Sequence, residues 1–583
     1  MRPQITVLDA GGQYCHLIAR KVRDLGVYAE VAPSETPASE LAGRKGVIIS
    51  GGPSSVYDPG SPTIDPHLLH SGVPVLGICY GQQLMAHILG GRVQKGERGE
   101  YGFAQLDLKH ADGLFRGVVG RQQVWMSHRD AVQAPPPGFE ILGSTPTCAV
   151  AAMASPERGL YAVQFHPEVA HTPCGTQILK NFVFDACGCV QDWDPAGQVQ
   201  AIEDQIRAVA KDRNIFFFVS GGVDSTVAYT LCLRALGPEH VHGTYVDTGL
   251  MREGETEFVR ANFAALGARA FAVEDAARQF LGALASAVNP EEKRHIIGEE
   301  FVRVQRRILE SEHFLDGHWI LGQGTIYPDT IESGGTANAD LIKTHHNRVA
   351  GIQKLIDDGR IIEPLSSFYK DEVRAIGRQL GLAPELLDRH PFPGPGLAIR
   401  CLCAISDARA EKLPEGWLLP VQTVGVQGDS RTYRAVLAID SFPDSQEESS
   451  SLINKMDRIN RVVVELWTAG KPGNMQAVPG FLTEERLDRL RRADAVVRRL
   501  SEASGFDQAV WQFPVVLMPF GTPDRPDSVV LRPIDSVDGM TASVVRMPQD
   551  LLTEIVRELR SIPGVAGVFY DLTNKPPATI EWE

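Results

Sequence analysis

Residues 215–225 read Ile215-Phe216-Phe217-Phe218-Val219-Ser220-Gly221-Gly222-Val223-Asp224-Ser225. Five apolar residues in a row are typical of a strand that is buried on both faces. The two glycines that follow allow a sharp turn, and a helix is predicted to begin near Ser225. A strand, a glycine turn and a helix in this order predict an α/β fold with a parallel sheet.

The same arrangement continues on the C-terminal side of this stretch. Further strands are predicted at His242–Asp247 and Trp319–Gly322. The block closes at the corner Pro391–Gly396, because three prolines and two glycines in six residues cannot continue a helix. Residues 197–395 are therefore predicted to form one α/β domain.

A first α/β domain is predicted over residues 1–192. Short apolar strands are predicted at Ile5–Asp9, Gly46–Ser50, Val73–Cys79 and Leu160–His166, with helical stretches between them. This pattern indicates a mostly parallel sheet, and such sheets bind ligands at the carboxyl ends of their strands. The segment Asp192–Gly197 is predicted to be a linker.

Residues 396–583 are predicted to form an α+β domain. Glu484–Glu502 has the apolar spacing of an amphipathic helix, and the arginines between its apolar positions are expected to face solvent. A second helix is predicted around residues 551–559, followed by the strand Gly567–Leu572. That strand resembles Arg461–Leu466, which suggests a duplicated unit within this domain.

Composition limits the possible partners and the compartment. The 583 residues suffice for three or four domains of about 100–200 residues. A net charge of −15 argues against nonspecific binding to nucleic acid or to a membrane surface. Nine scattered cysteines, with no zinc spacing, no signal segment and no long apolar run, predict a reduced, cytoplasmic protein.

Cys79 is the first candidate for chemistry. It follows the apolar run Val73–Ile78, and Gly77 and Gly81 stand two residues to either side of it. Small flanking residues suit a sharp strand-to-helix turn that exposes a nucleophile at a helix N-terminus, where a thiolate is favoured. The alternative interpretation is a small buried hydrophobic residue.

A cysteine nucleophile needs a base and a group that orients the base. His166 and Glu168 end the strand Leu160–His166, and two residues of an extended chain at this spacing share one face. The backbone amides of Gly52 and Tyr80 are predicted to form an oxyanion hole. Taken alone, His166 could equally be a core histidine, but the combination of the three side chains favours catalysis.

These motifs resemble the class I glutamine amidotransferases over residues 1–190. The resemblance rests on Gly77–Gly81, Ser50–Pro53 and Phe165–Val169. It implies that Cys79, His166 and Glu168 form a catalytic triad, that glutamine supplies ammonia, and that Gln83 helps to hold glutamine. Arg129 is a departure, because members of the family usually have glycine at its place.

Residues 220–225 suit phosphate binding, because glycines, hydroxyls and a helix N-terminus converge there. A purely structural glycine turn is the alternative. There is no Gly-Lys-Ser/Thr of a Walker loop. The stretch instead resembles the PP-loop of N-type ATP pyrophosphatases, which split ATP into AMP and pyrophosphate. The resemblance implies ATP binding by Ser220, Gly221, Gly222, Val223, Asp224 and Ser225, with Mg²⁺ held at Asp224.

Two further segments are predicted to contact ATP. Val246 ends a neighbouring strand, where an adenine or ribose pocket is expected. Ile342–Asn347 contains Lys343 and two adjacent histidines, His345 and His346. Adjacent side chains point apart on a strand, so a phosphate-binding lid carrying the charge of Lys343 is favoured over a metal site.

Over nearly the whole chain, the order of domains and several segments resemble the glutamine-hydrolysing GMP synthases. The segments are Glu292–Gly298, Arg389–Arg400, Gly425–Tyr433 and Lys575–Glu583. The resemblance implies that xanthosine monophosphate (XMP) is adenylated by ATP and then aminated to GMP. It also implies XMP binding by Arg294, Asp429, Gln512, Lys575 and Glu581.

Residues of about 440–528 look like an insertion relative to the short bacterial form of that family, which dimerises through its C-terminal domain. Because of the repeated strand, the insertion is interpreted as a second copy of that domain. A monomer is therefore predicted, with a homodimer as the alternative.

Two other functions are compatible with parts of this sequence. A tRNA-modifying PP-loop enzyme would need a basic surface, which the net charge of −15 disfavours. A non-catalytic relative is disfavoured because the motif residues are intact.

Overall fold

The computed structural model describes residues 2–12, 14–95, 100–111, 113–332, 350–427, 430–443, 456, 458–536, 542–575 and 577–583. The chain divides into two compact units, Met1–Gly197 and Gln198–Glu583. The first unit ends at the last residue of the predicted linker.

The first unit is built on one large sheet. Its strands, with the short pair β5 and β8 beside it, are β1 (Ile5–Asp9), β2 (Ala29–Pro33), β3 (Gly46–Ile49), β4 (Val75–Ile78), β5 (Arg92–Gln94), β6 (Glu100–Leu108), β7 (Gln122–His128), β8 (Ala131–Ala134), β9 (Glu140–Ser144), β10 (Ala152–Ser155) and β11 (Leu160–Val163). Its α-helices are α1 (Cys15–Asp24), α2 (Ala38–Leu41), α3 (Tyr80–Ile88) and α4 (Gly175–Lys180).

The prediction of a mostly parallel sheet in this unit is wrong for half of it. Among the described residues the strand order is β2-β1-β3-β4-β11-β10-β9-β6-β7. The strands from β2 to β11 pair in parallel, whereas β11, β10, β9, β6 and β7 pair antiparallel. Among the described residues, no α-helix lies between β6 and β11 in the chain, so this half of the sheet has no helical crossovers. The apolar pattern alone did not reveal this.

The second unit begins with a parallel sheet. Its strands are β12 (Asn214–Val219), β13 (Val241–Asp247), β14 (Ala270–Asp275), β15 (Trp319–Gly322) and β16 (Ile361–Ile362), in the order β14-β13-β12-β15-β16. All four pairings are parallel, as predicted for this block.

Helices accompany this sheet throughout. They are α5 (Val199–Ala210), α6 (Val223–Leu236), α7 (Glu255–Ala265), α8 (Ala277–Leu284), α9 (Pro290–Ser311), α10 (Tyr327–Glu332), α11 (Ala350–Asp357), α12 (Lys370–Gln379) and α13 (Pro384–Leu387). The helix predicted near Ser225 begins at Val223, directly after the glycine turn.

A second, mixed sheet follows in the same unit. Its strands, together with four short paired strands, are β17 (Glu411–Leu413), β18 (Gly416–Gln427), β19 (Ser430–Ile439), β20 (Ile459–Thr468), β21 (Gln476–Ala477), β22 (Val515–Met518), β23 (Phe520–Gly521), β24 (Asp527–Leu531), β25 (Ile534–Asp535), β26 (Ser543–Val544) and β27 (Val565–Asp571). The helices α14 (Glu484–Ser504) and α15 (Gln549–Leu559) pack against it.

The two strands with similar sequences lie side by side in this sheet. The order is β17-β18-β19-β20-β27-β24-β22, and β20 pairs antiparallel with β27. On one side β20 runs parallel to β19, which is antiparallel to β18. On the other side β27 runs parallel to β24, which is antiparallel to β22. The pattern of the two nearest strands is therefore the same on both sides of the central pair, and β17 adds one more strand beside β18.

The arginines of α14 do not all face solvent, contrary to the prediction. Arg486 and Arg489 are buried, and both pair with the buried carboxylate of Asp527. Their Nη atoms lie 2.7 Å and 2.5 Å from its two oxygens. Asp527 belongs to β24, about 40 residues away in the chain, so the pattern within the helix could not reveal it.

Of the helices in the described part of the chain, none combines the length and apolar character that crossing a bilayer requires.

Candidate functional site

Cys79 lies between β4 and α3 in a strained backbone conformation. Its φ is 53° and its ψ is −106°, which side-chain-bearing residues rarely adopt. A Cβ on Gly81 would lie 2.4 Å from the carbonyl oxygen of Ile49, so only glycine fits there. The local sequence thus produces the predicted nucleophile turn, with the sulfur at the start of a helix.

Three neighbouring parallel strands bring the predicted triad together. β4 leads to Cys79, β11 leads towards His166, and β3 leads to the turn Ser50–Gly52. His166 Nδ1 lies 2.6 Å from Glu168 Oε1. Cys79 lies beside the imidazole as well, since a side chain at Gly51 would meet both His166 and Cys79. All three side chains are buried, with exposures of 3%, 4% and 1% for Cys79, His166 and Glu168.

One detail of the sequence prediction was wrong. β11 ends at Val163, so His166 and Glu168 lie on a loop and in a turn beyond the strand. The His166 amide donates to Trp125 O at 3.0 Å, so the loop is attached to β7. The two side chains meet because of the turn and not because of strand alternation.

The charge of Glu168 controls the protonation of His166. Burial alone would lower the pKa of His166, but the Glu168 carboxylate and the neighbouring Cys79 outweigh it and hold that pKa well above its ordinary value. A raised pKa favours the imidazolium form of His166. In this form it can pair with a thiolate and donate a proton to a leaving amine.

Replacing Glu168 with glutamine is expected to move the alkaline limb of the pH profile of glutamine hydrolysis to lower pH. Without the carboxylate charge the pKa of His166 falls, so the imidazolium is lost earlier as pH rises. The rate should fall by about 100-fold. Initial rates of glutamate release across a pH series measure both effects.

The exposed carboxylate Glu157 gives a matched control. Glu157→Gln should leave the alkaline limb in place, and an unmoved limb in Glu168→Gln would contradict the assignment. The same pKa shift affects folding. Its stabilising contribution is complete below the ordinary histidine pKa and is lost as pH rises through the raised one.

The residues predicted to donate to the oxyanion, Tyr80 and Gly52, are next in sequence to Cys79 and Gly51, respectively. Tyr80 begins α3, so its amide belongs to the first turn, which has no acceptor within the helix. A side chain at Gly51 would meet His166 Cε1 at 3.0 Å and Cys79 Cβ at 3.4 Å. The Ser50–Gly52 turn therefore lies directly against the pair.

The predicted glutamine-binding residues sit around this centre. Gln83 is buried, and its side-chain amide donates to Asp130 O at 2.7 Å. Cys79 Sγ lies 3.5 Å from Ser127 O, so the end of β7 also reaches the thiol. Arg129 is exposed directly after that strand.

In the second unit, the predicted phosphate loop connects β12 to α6. Ser220 Oγ and Ser225 Oγ lie 3.1 Å apart across it, and the Gly222 amide donates to Ser220 Oγ at 3.2 Å. Gly221 has a φ of +72°, which favours glycine. The two hydroxyls and the N-terminus of α6 therefore lie together at the carboxyl edge of the sheet.

Lys370, which was not predicted from the sequence, lies at this loop. Its Nζ is 2.6 Å from Asp224 Oδ2, although the residues are 146 positions apart. Burial raises the pKa of Asp224, and Lys370 opposes that shift. No local signal marks Lys370, because α12 is brought to the loop only by folding. It places a positive charge beside a loop that has no lysine of its own.

Asp224 also has the chemistry to hold Mg²⁺. Within the described residues its buried Oδ1 has no hydrogen-bond partner. Hard divalent cations prefer oxygen, and Mg²⁺ is usually held by one or two carboxylates together with substrate phosphates. In the described part of the chain, this loop included, no three or more metal-binding side chains cluster together.

The other predicted ATP contacts are only partly visible. Val246 is a residue of β13 whose side chain is buried. A ligand would therefore contact its backbone. The adjacent Asp247 accepts from Gly249 N at 2.9 Å and from Thr256 Oγ1 at 2.7 Å. Lys343, His345 and His346 lie outside the described residues.

Two of the predicted XMP residues meet near the domain corner. Glu581 accepts two bonds from the buried Arg400, at 3.0 Å and 2.7 Å. Gln512 Nε2 lies 3.3 Å from Glu581 Oε1 and 2.8 Å from Pro391 O. Arg400 was not predicted as a site residue, although it ends a segment, Arg389–Arg400, that carries the resemblance.

The segment 577–583 is docked, as predicted. Trp582 is fully buried and donates from Nε1 to Asp571 Oδ2 at 2.8 Å. Arg294 donates to Glu583 O at 2.7 Å, and the buried Lys293 lies 2.5 Å from Glu583 Oε2. Lys575 is half-buried, and Asp429 lies outside the described residues. Arg294 therefore contacts this segment at Glu583, and Glu581 is itself part of it.

Known families and relatives match this chain. The family "Glutamine amidotransferase class-I" matches residues 6–186, and "GMP synthase C terminal domain" matches residues 500–582. A GMP synthase (glutamine-hydrolyzing) from Thermomicrobium roseum is 42% identical over 593 residues, covering 99% of this chain and 96% of the relative. The protein of that name from Bifidobacterium longum is 40% identical over 605 residues, with the same two coverages.

Among solved structures, a GMP synthase subunit from Thermoplasma acidophilum is 33% identical, with a TM-score of 0.29. The match covers 32% of this chain and 95% of that protein.

Proposed function

This chain belongs to the glutamine-hydrolysing GMP synthases, and we propose that its two units divide the family's reaction between them. It is a ligase that makes GMP with glutamine as the nitrogen donor and ATP as co-substrate. The proposed overall reaction is XMP + ATP + glutamine + water → GMP + AMP + pyrophosphate + glutamate. The observation that carries this division is that one chain holds both the Cys79–His166–Glu168 contact and the hydroxyl-lined loop of residues 220–225.

Ammonia release is assigned to the first unit. The Cys79 thiolate attacks the glutamine side-chain carbonyl, and the amides of Gly52 and Tyr80 stabilise the oxyanion. His166 gives its proton to the departing ammonia, while Glu168 holds the imidazole in place. Water then releases glutamate from the thioester.

Activation of XMP is assigned to the second unit. The amides and hydroxyls of residues 220–225 bind the ATP phosphates, with Val246 beside the adenosine and Lys343 over the phosphates. Lys370 adds a positive charge at Asp224. Mg²⁺ bound at Asp224 would neutralise phosphate charge. The O2 of xanthine takes the adenylyl group from ATP, pyrophosphate leaves, and ammonia then displaces AMP.

XMP binding is assigned to Arg294, Asp429, Gln512, Lys575 and Glu581. Arg294 and Lys575 provide charge for a 5′-phosphate, and Gln512 and Glu581 can bond to ribose or base. Arg294 and Glu581 are engaged with Glu583 and Arg400, respectively. XMP binding therefore involves exchange or sharing of these contacts.

The nucleotide product decides between this function and its rivals. With XMP, ATP and ammonium, the protein should form AMP and pyrophosphate only when XMP is present. Formation of ADP and phosphate would refute the proposed chemistry. Retention of tRNA on a filter would instead support the tRNA-modifying alternative, which the net charge of −15 disfavours. The proposed location is the cytoplasm.

We expect the protein to be a monomer. The matching strand patterns on both sides of β20 and β27 support a duplicated unit that takes the place of a second protomer. Light scattering at micromolar concentration should give a mass near 63.6 kDa. A mass near twice that value would contradict the duplication hypothesis and favour a homodimer.

A further inference from the structure

Helix α14 reaches from the second sheet's region to the ATP side of the second unit. Sixteen of its 21 residues, 484–499, lie outside the two family matches at 6–186 and 500–582. Yet two of its side chains contact the loop of residues 248–252, which directly follows β13. This loop begins where the adenosine of ATP is proposed to bind.

Arg491 holds the backbone of this loop at two points. Its Nε donates to Met251 O at 3.0 Å, and its Nη2 donates to Gly249 O at 2.5 Å. Between these two carbonyls, Leu250 O accepts from Leu397 N at 2.7 Å. Three successive carbonyl groups are therefore bound by residues that lie far away in the chain. A guanidinium can serve two carbonyls at once because its donors form a rigid, planar fork.

A second contact fixes the end of the loop. The buried Arg252 pairs with the buried Asp494 of α14, with Nε and Oδ2 3.4 Å apart. The Arg252 guanidinium also lies 4.5 Å from the centroid of the Phe392 ring. Asp494 accepts in addition from Arg498 Nε at 2.9 Å. The loop is thus attached to α14 at Gly249 and Met251, through Arg491, and at Arg252, through Asp494.

The loop's shape bears on the nucleotide site through Asp247. The Gly249 amide donates to Asp247 Oδ1, so Gly249 and Thr256 together hold this carboxylate in place. β13 pairs with β12, which carries the phosphate loop. Val246 and Asp247 are consequently held beside residues 220–225 at the same edge of the sheet.

We propose that Arg491, supported by the Asp494–Arg252 pair, is a positioning residue that holds the 248–252 loop ready to receive ATP. The inference rests on the proposed binding of ATP at the phosphate loop and β13. Without Arg491 the loop would occupy its binding-competent shape only part of the time. The apparent affinity for ATP would then fall in proportion to that fraction, while the rate at saturating ATP would be retained.

The test compares Arg491→Met with Arg492→Met in the full-length protein, using ammonium as nitrogen source and AMP formation as readout. Arg492 is the adjacent, exposed arginine of the same helix. We expect Arg491→Met to raise the KM for ATP about tenfold, with kcat and the KM for XMP within about twofold of wild type. Arg492→Met should leave all three values within about twofold.

An equal KM for ATP in the two variants would overturn the proposal, as would an equal rise in the KM values for XMP and ATP. Arg491→Lys, which keeps the charge but loses the fork, should give an intermediate KM for ATP. If Arg491→Met does not fold, this variant decides the question, and a wild-type KM for ATP in it would overturn the proposal. Failure of the proposed function is recognised separately, because the wild-type protein would then form no AMP.

Discussion

Replacing Cys79 with alanine is expected to abolish GMP formation from glutamine while GMP formation from ammonium continues. Alanine has no nucleophile, so no thioester forms and no ammonia is released. The loss in glutamine-driven rate should be at least about 1,000-fold, as for other covalent nucleophiles. Free ammonium bypasses the first unit, because the phosphate loop and the proposed XMP residues all belong to the second unit. Parallel assays with glutamine and with ammonium, both measuring GMP, provide the comparison.

Cys174 gives a matched control for this variant. It is another buried cysteine of the first unit, at the start of α4. Cys174→Ala should retain both activities within about twofold. Loss of the ammonium-driven activity in a folded Cys79→Ala protein would show that the two sites are not separable, contrary to the proposal.

Replacing Asp224 with alanine should abolish GMP formation from both nitrogen sources. This carboxylate is the proposed Mg²⁺ ligand at the phosphate loop and the partner of Lys370. Its loss removes the proposed stabilisation of charge on the departing pyrophosphate, and groups with that role contribute about 100- to 1,000-fold. AMP formation with saturating XMP and ammonium, followed across a Mg²⁺ titration, measures the loss.

The isosteric Asp224→Asn variant separates charge from shape. It should lose nearly as much activity as Asp224→Ala, because the side chain keeps its size but not its charge. Glu385, exposed on α13, is a suitable control, and Glu385→Gln should behave like the wild type. An active Asp224→Asn protein would exclude a charge-dependent role for this residue. Unchanged thermal unfolding midpoints would show that the losses do not reflect unfolding.

Local sequence predicted the two strand-to-helix turns well. Asn214–Val219 is a strand and the helix after the glycine turn begins at Val223, within two residues of the prediction. Cys79 likewise lies at the predicted turn between a strand and a helix. In both places the strand, the turn and the helix are contiguous, so propensity and steric limits act over a few residues. The family resemblance was equally accessible, because it rests on short contiguous motifs, and the comparisons confirm it.

Prediction failed where partners are distant in the chain. The strand Leu160–His166 was extended too far, because nothing local shows that the chain turns after Val163 to bring His166 and Glu168 together. The buried arginines of α14 were predicted to face solvent, because their partner Asp527 lies on β24, far from the helix in sequence. The antiparallel half of the first sheet was missed because apolar runs do not report strand direction.

The sequence by itself determined which chemistry this protein carries: a thiol at a strained turn, a glycine and serine loop after an apolar strand, and the motifs of a GMP synthase. Only the tertiary structure decided what surrounds that chemistry, including Lys370 at Asp224, Arg400 at Glu581 and Arg491 on the loop after β13. The physical reason is the separation along the chain between interacting residues. Turns and helix starts depend on neighbouring residues, whereas the pairing of buried charges depends on the order in which strands and helices pack, which no local pattern encodes.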